Sequence, residues 1–323
     1  MTGNLLVSQA LSPFSPFFTT PFLAAMPMIL GITGNTLKEG MWEPVASLIK
    51  DLRSIHNKFV VHPDLAKGLL DRDASLQDNE IARTVLDFLD QAELIISFGG
   101  DGTLLNTVNL LGERPTPILG VNHGRLGFLA QIEGSEVHQR VQQLKSGDFV
   151  VEERVVLEAS LESKDKLAAN FALNEFTIQR SGETGLLTFE VLVDGVHLNT
   201  YWADGLIVST PTGSTAYSLA LGGPIMAPGC QAILVSPIAP HTLTVRPIVI
   251  PDSALVDIRL IGNGNSHVFT TDGINHKNAL ASGGVRIKKA RHSVKLVRFN
   301  DQDYFSTLRN KLMWGAHRSK HAN

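Results

Sequence analysis

Between Leu94 and Leu111 an apolar run, Leu94-Ile95-Ile96-Ser97-Phe98, ends in Gly99-Gly100-Asp101-Gly102-Thr103 and passes at once into a second apolar run, Leu104 to Leu111. This pattern predicts a buried strand, a turn whose glycines allow close backbone approach, and a helix whose first N–H groups face outward and favour an anion. Strands that feed helices in this way belong to parallel βαβ units, whose ligand sites lie at the carboxyl ends of the strands. Asp101 is the odd member of the turn. Its carboxylate repels a polyphosphate unless a metal intervenes or the aspartate takes a proton from an attacking hydroxyl. The pattern therefore points to phosphoryl transfer.

The same alternation extends on both sides. Strands are expected at Ile29–Thr33, Phe59–Val61, Leu94–Phe98 and Pro117–Val121, with helices near Trp42–Ile55, Leu76–Leu89 and Ser135–Lys145. From about Val150 the texture changes to alternating runs such as Arg154–Leu161, Phe189–Val193 and Leu255–Ile261, with hairpin signals at Asp194-Gly195 and Gly262-Asn263-Gly264-Asn265. A chain of 323 residues exceeds the size at which one core usually keeps growing. The expectation is an α/β N-terminal domain with a parallel sheet over residues 28–148, then a mostly β domain over 149–300. Residues 1–27 read as a flexible extension. Residues 301–323 read as a C-terminal segment packing back on the first domain, with a short helix at Tyr304–Trp314 carrying Phe305, Leu308 and Leu312 on one side and a solvated polar tail after Gly315.

Hydrophobic residues make up 43% and charged residues 18%, which excludes a largely disordered chain, and a net charge of -3 provides no polybasic surface for nucleic acid. An anionic substrate must then be held by local devices such as helix N-termini, a few basic side chains or a divalent cation. Residues 1–37 contain no Lys, Arg, Asp or Glu, but they lack the positive start of a secretory signal, and Pro13, Pro16, Pro21 and Pro27 argue against a membrane helix. Met26 and Met28 precede the first strand, so the stretch before them also reads as an over-extended start. Cys230 is the one cysteine; it excludes an internal disulfide, reads as a small buried hydrophobe and fits a reducing cytoplasm.

Two further segments carry chemistry. Ala203 to Ser218 is an apolar strand feeding a loop rich in hydroxyls, where Gly213-Ser214-Thr215 can start a capped helix and leave N–H and O–H groups for ribose or phosphate oxygens. Asn174-Glu175 interrupts a strand-like run from Phe171 to Ile178; adjacent polar residues on a strand point to opposite faces unless a bulge or strand end turns both toward a ligand. Either segment alone is also compatible with an ordinary capped helix or a solvated loop.

Taken together, Gly99-Gly100-Asp101-Gly102-Thr103, Asn174-Glu175 and Asp204 through Ser218, continuing into Gly222-Gly223-Pro224-Ile225, resemble the motifs of the NAD kinase family in order and spacing. Pro240-His241-Thr242-Leu243 and Tyr304 to Arg309 look like bacterial members, and the resemblance runs from about Met28 to Trp314. The glycine-rich motif is shared with diacylglycerol and sphingosine kinases and with 6-phosphofructokinases. The Asp204–Ser218 stretch is much narrower.

The resemblance implies an enzyme that phosphorylates the 2′-hydroxyl of the adenosine ribose of NAD to give NADP, using ATP or another donor and a divalent cation such as Mg²⁺. It implies Asp101 as general base, with the Gly102 amide against phosphate. Asn174, Glu175 and Asp204 would fix NAD, and Thr212, Thr215, Ala216, Tyr217, Ser218, Leu219 and Ala220 would line the dinucleotide. It gives no metal ligands. It further implies a homo-oligomer, dimer or tetramer, and the composition and the single cysteine add the expectation of a cytoplasmic protein with no nucleic-acid or membrane partner. Three positions depart from the family pattern: Asn106 replaces a basic residue, Ile274 follows Asp272-Gly273 where Gln is frequent, and Trp202 stands where some members have Arg. Trp202 either stacks over the nicotinamide end or belongs to the core. His123, His241 and His276 read as structural or solvated. The alternatives are a diacylglycerol or other lipid kinase, and a non-catalytic NAD(P) sensor.

Overall fold

The computed structural model describes residues 19–20, 28–122, 124, 127–162, 167, 169–182, 185–262, 267–277, 280 and 283–314. The expectations for His123 and for the tail after Trp314 lie outside these residues, as does the extension before Met28 except Thr19–Thr20, which pair antiparallel with Val151 and Glu152. The hairpin expected about residues 262–265 is corrected: Val256–Ile261 pairs with Leu187–Val193 and Val285–Arg298, and His267–Thr271 with Glu175–Arg180 and Ile274–Lys277, so the two flanking strands do not pair with each other.

Short runs free of charged side chains build the first sheet. Strands β1 (Leu30–Gly34), β2 (Phe59–Val61), β3 (Leu94–Phe98) and β4 (Ile118–Asn122) pair in parallel in the order β2-β1-β3-β4. Every residue of β3 and β4 is buried, as a parallel sheet covered on both faces requires. Alternate side chains divide between two cores. Leu30, Ile32, Leu94 and Ile96 join Val45, Leu48 and Leu52 of helix α1 (Trp42–Ser54), Leu65 and Leu69 of α2 (Pro63–Leu70), and Val137, Val141 and Leu144 of α5 (Val137–Ser146). On the other face, Val60 and Ile95 meet Phe88 of α3 (Val85–Gln91) and Leu104, Val108 and Leu111 of α4 (Asp101–Leu111).

The helix expected over Leu76–Leu89 is not continuous. His62 caps α2 ahead of Pro63, so this first helix sits earlier in the chain, where the proline's fixed φ suits a helix start. Gln77 and Glu80 then close a single 3₁₀ turn. Ile81 bridges to Val61 as sheet, and Thr84 accepts from the Asp87 amide to start α3 anew. A cap of this kind is worth about 1 kcal/mol, enough to set a boundary that apolar spacing alone runs across.

The second half is antiparallel. Strand β5 (Val150–Leu161) leads into it, and β6 (Glu175–Arg180), β7 (Leu187–Val193) and β8 (Val196–Ser209) follow. β8 is long enough to serve two sheets: Val196–Ala203 pair with β7, and Gly205–Ser209 pair with β6. Its other edge carries β9 (Ala232–Pro240), followed by β10 (Ile248–Pro251). β7 continues to β11 (Val256–Ile261), and β6 continues to β12 (His267–Thr271) and β13 (Ile274–Lys277). Phe176 and Phe269 stack 5.4 Å apart in the enclosed core. The Asp194-Gly195 hairpin forms as expected, both residues having positive φ.

Strand β14 (Val285–Arg298) joins the halves. It pairs antiparallel with β5, placing Leu296 opposite Glu152 and Arg298 opposite Val150, while Leu296 also lies parallel to Ile118 of β4. Helix α6 (Tyr304–Leu312) follows, capped by Asp303. Its contacts reach both halves: Tyr304 Oη donates to the Met226 carbonyl, and Lys311 lies over the Phe128 ring. The apolar side expected for α6 is corrected. Thr307 and Leu308 turn inward, whereas Phe305 is 51% exposed, its ring set edge-on to Tyr304. Cys230 is likewise half-buried rather than buried.

Candidate functional site

The strand order reverses between β1 and β3, and the crevice at their carboxyl ends is where open α/β sheets hold ligands. Asn35 follows β1 there and donates its amide to the Phe98 carbonyl, 3.0 Å away, which holds the two strand ends together. Gly99 must be glycine: its φ is +154°, and a Cβ would stand 2.1 Å from Thr103 Oγ1. Helix α4 begins at Asp101 itself, earlier than the apolar run alone suggests.

The Asp101 carboxylate is clasped by the loop after β4. Oδ2 accepts from Phe128 N at 2.8 Å, and Oδ1 accepts from Leu129 N at 3.1 Å and Ala130 N at 3.0 Å. Gly127 allows this approach, since a Cβ there would lie 1.9 Å from Oδ1. Gly102 beside it is exposed, with no atom within 4 Å of where its Cβ would stand. Its backbone therefore faces open space at the helix start.

A second aspartate builds the opposite wall in the same way. Asp272, with φ +47°, sits in the two-residue turn between β12 and β13. Its carboxylate accepts from the amides of Leu173 at 2.7 Å and of Asn174 and Glu175 at 2.9 Å. From the other side, Thr210 Oγ1 donates to the Leu173 carbonyl at 2.6 Å, and Thr210 N and Ser209 Oγ donate to that of Asn174. The clamp ends the strand at Ala172 and restarts it at Glu175, so Asn174-Glu175 is indeed a strand end rather than a mid-strand dipeptide. Both side chains are buried at its edge. Burial and the Asp272 charge push the Glu175 carboxyl up to about 8, and Glu175 Oε2 is buried without a hydrogen-bond partner. Burial raises Asp272 to about 6, against the pull of its three amides.

Between the two walls lies a cleft of about 460 Å³ lined by Gly100, Gly102, Thr103 and Asn106 on one side and Asp272, Gly273 and Ile274 on the other, with Asn35 and Lys38 at its end. Lys38 Nζ lies 3.6 Å from the point a Gly100 Cβ would occupy. It supplies a cation to a cleft in which position 106 has none. No group of three His, Cys, Asp or Glu side chains among the described residues is arranged to hold a metal ion.

The hydroxyl-rich loop joins the cleft through Asn174, but most of its hydroxyls serve the loop itself. Ser214 Oγ donates to the Pro211 carbonyl, Thr215 Oγ1 to that of Thr212, and the Thr210 hydroxyl accepts from Gly213 N. Thr212 Oγ1 takes a hydrogen bond from Arg154. Gly213–Thr215 form one 3₁₀ turn, followed by a helical turn at Tyr217–Ala220 that carries Leu219. Ala216 sits between these turns. Ser218 Oγ is buried without a partner, and Tyr217 is partly exposed. Asp204 and Trp202 stand farther along β8. Asp204 pairs with Arg180 at 2.8 Å. Trp202 is 54% exposed, which rules out the core reading.

Gly102 lines the cleft and Asp101 starts the same helix, while the Asn174 and Glu175 amides are bonded to Asp272 of the opposite wall, with Thr212 beside Asn174 through the loop. Asn35, Lys38 and Asp272 were missed as site residues by sequence reading; the only signal was the turn-forming pair Asp272-Gly273. His276 bonds Thr271, with burial lowering its pKa, and His241 is exposed.

The family model described as ATP-NAD kinase N-terminal domain matches residues 31–149, and that described as ATP-NAD kinase C-terminal domain matches residues 173–299. The chain is 40% identical over 290 residues to an NAD kinase of Bacteroides fragilis, covering 90% of this chain and 99% of the relative. It is 34% identical to one of Cytophaga hutchinsonii, covering 89% and 98%. Among solved structures, yeast NADH kinase complexed with NADH superposes with a TM-score of 0.82 at 27% identity, over 91% of this chain and 90% of that one. An Archaeoglobus fulgidus NAD kinase in complex with ATP shares the fold, with a TM-score of 0.67 at 22% identity, over 88% and 99%.

Proposed function

The chain belongs to the NAD kinase family, and on that premise we propose that it transfers the γ-phosphoryl group of ATP to the 2′-hydroxyl of the adenosine ribose of NAD, with Asp101 as the base. The observation that carries this reading is the hydrogen bonding of the Asp101 carboxylate. An ionised carboxylate offers about four acceptor positions. The Leu129 and Ala130 amides take both on Oδ1, and Phe128 takes one on Oδ2, so Oδ2 keeps a lone pair for a substrate proton. In the step, the ribose oxygen forms its bond to phosphorus as the bond to the ADP oxygen breaks, and the hydroxyl proton passes to Oδ2.

The helix N-terminus at Asp101–Thr103, with Gly102 open, cradles the phosphates, and Lys38 neutralises them from the cleft end. A divalent cation such as Mg²⁺ would enter on the triphosphate, where Thr103 and Asn106 of the cleft lining would offer it side-chain oxygens. When bound it would supply neutralisation of phosphate charge. Asn174 and Glu175 hold the ribose and adenine. Thr212, Thr215, Ala216, Tyr217, Ser218, Leu219 and Ala220 border the dinucleotide, and Asp204 and Trp202 receive its far end.

Self-association belongs to the same proposal. Trp202 and the 89%-exposed Leu243 are large exposed apolar side chains on segments joined where His241 N donates to the Trp202 carbonyl, and a second subunit would cover them. A cytoplasmic setting is supported by the lone Cys230; no helix among the described residues is long and apolar enough to cross a membrane. The test is incubation with ATP and Mg²⁺ in the presence of NAD or of diacylglycerol. NADP is the expected product, and phosphorylation of the lipid alone would overturn the reading.

A further inference from the structure

Beneath the cleft, at the seam where β14 joins the two halves, three charged side chains form a continuous buried chain. Arg298 Nη1 donates to the Leu129 carbonyl at 3.2 Å, and Arg298 Nε donates to Glu152 Oε2 at 3.1 Å. The same Glu152 oxygen accepts from Arg154 Nη2 at 2.8 Å, and Arg154 Nη1 reaches Thr212 Oγ1 at 3.3 Å. Side-chain exposures are 12% for Arg298, 13% for Glu152 and 5% for Arg154.

We propose that Arg298, Glu152 and Arg154 are positioning residues for phosphoryl transfer, fixing the loop that clasps Asp101 relative to the Thr212 loop that borders the dinucleotide. The two ends of the chain carry the argument. One lands on the carbonyl of Leu129, whose own amide binds Asp101 Oδ1. The other lands on Thr212, whose carbonyl holds Thr215. The residues come from cross-paired strands, Glu152 and Arg154 from β5 and Arg298 from β14, so their register is set by the sheet and not by the loops.

Charge points the same way. Two buried guanidiniums face one carboxylate within the chain, and Asp101 is the second anion that Arg298 senses. Burial pushes Glu152 up, but Arg154 and Arg298 outweigh it and hold its carboxyl below the usual range. Burial and Arg154 lower Arg298, while Glu152 and Asp101 pull it back. The four charges sum to zero. Arg154 Nε and Arg298 Nη2 are buried without partners, so the chain leaves one N–H group of each guanidinium unpaired.

The inference rests on Asp101 as the base, and its test separates the two claims. Turnover at saturating NAD and ATP is measured for the wild type, Arg298→Lys, Asp101→Asn and the double variant. Lysine keeps the charge but cannot span Leu129 and Glu152 together. Misplacing the base by about 1 Å costs about 10²-fold, so Arg298→Lys is expected to lower kcat by about 10- to 100-fold with the KM for NAD within about 2-fold. In the Asp101→Asn background the same change is expected to add less than about 2-fold, because the relay acts through the aspartate. An equal loss in both backgrounds would overturn the relay and leave Asp101 standing. Near wild-type turnover of Asp101→Asn alone would remove the base itself. If Arg298→Lys does not yield folded protein, Glu152→Gln takes its place in the same cycle with the same outcomes.

Discussion

Replacing Glu175 by Gln is expected to change how stability depends on pH. In the unfolded chain this carboxyl ionises near its ordinary value of 4.5, whereas in the folded protein burial and the Asp272 charge raise it to about 8. Between those values the native state holds a proton that the unfolded state has lost. Unfolding therefore releases a proton, and stability falls by about 1.4 kcal/mol for each pH unit climbed. The contribution is fully present below the unfolded value and is lost as pH rises through the folded one. From about pH 6 to about pH 7.5 the wild type loses about 2 kcal/mol from this group, while Asp272, raised to about 6, passes its own midpoint at the start of that interval. Glutamine has no such proton to release. It is close in shape to the protonated acid and keeps both a donor and an acceptor. The difference in stability between Glu175→Gln and wild type is thus expected to shift by about 2 kcal/mol in favour of the variant across that interval. Urea unfolding followed by tryptophan fluorescence at the two pH values measures it, and taking the difference between variants cancels titrations of groups remote from Glu175, leaving Glu175 together with the Asp272 carboxylate that it senses. Parallel stability profiles for the two proteins would show that Glu175 is ionised in the fold, and would refute the burial argument.

Three other outcomes are expected. Gly102→Ala meets no atom within 4 Å, so the fold and its unfolding midpoint should hold while turnover drops at least about 10-fold, the usual scale for misplacing a bound group by a fraction of an ångström; unchanged turnover would show that no phosphate approaches there. Lys38→Met should raise the KM for ATP by about 10- to 100-fold, the worth of one charged hydrogen bond of about 1.5–3 kcal/mol, with the KM for NAD unaltered; an effect on NAD alone would move Lys38 out of the donor site. Breaking the half-exposed Arg180–Asp204 pair by Arg180→Gln should cost under about 1 kcal/mol of stability, as read from the shift in the urea midpoint, and a larger loss would mark the pair as structural.

Local chemistry was legible in the sequence, and tertiary chemistry was not. The Leu94–Leu111 segment announced its strand, turn and helix because glycines and an apolar run act within a few residues of one another, and β3 and α4 follow it closely. Asn174-Glu175 was visible as a break in alternation, yet what causes the break is Asp272, nearly a hundred residues away, which gathers three amides at once. No spacing rule reports a carboxylate that binds backbone rather than side chains. The helix at Leu76–Leu89 failed for a related reason: apolar periodicity continued through a region where capping by Gln77 and Thr84 and a bridge from Ile81 to Val61 divided it. Hydroxyls in the 209–215 loop looked available for a ligand, but several are consumed in holding the loop's own shape. Glu152 and Arg154 lie in a strand whose alternation gave no hint that they face inward toward Arg298.

The central claim is that Oδ2 of Asp101 receives the ribose proton. Asparagine at this position keeps an oxygen for the Leu129 and Ala130 amides and gives up only the acceptor at Phe128. The most direct measurement is NADP formation by purified, folded Asp101→Asn, set beside its affinity for NAD. Turnover is expected to fall by roughly 10²–10⁴ with NAD affinity retained, and turnover close to that of the wild type would contradict the account.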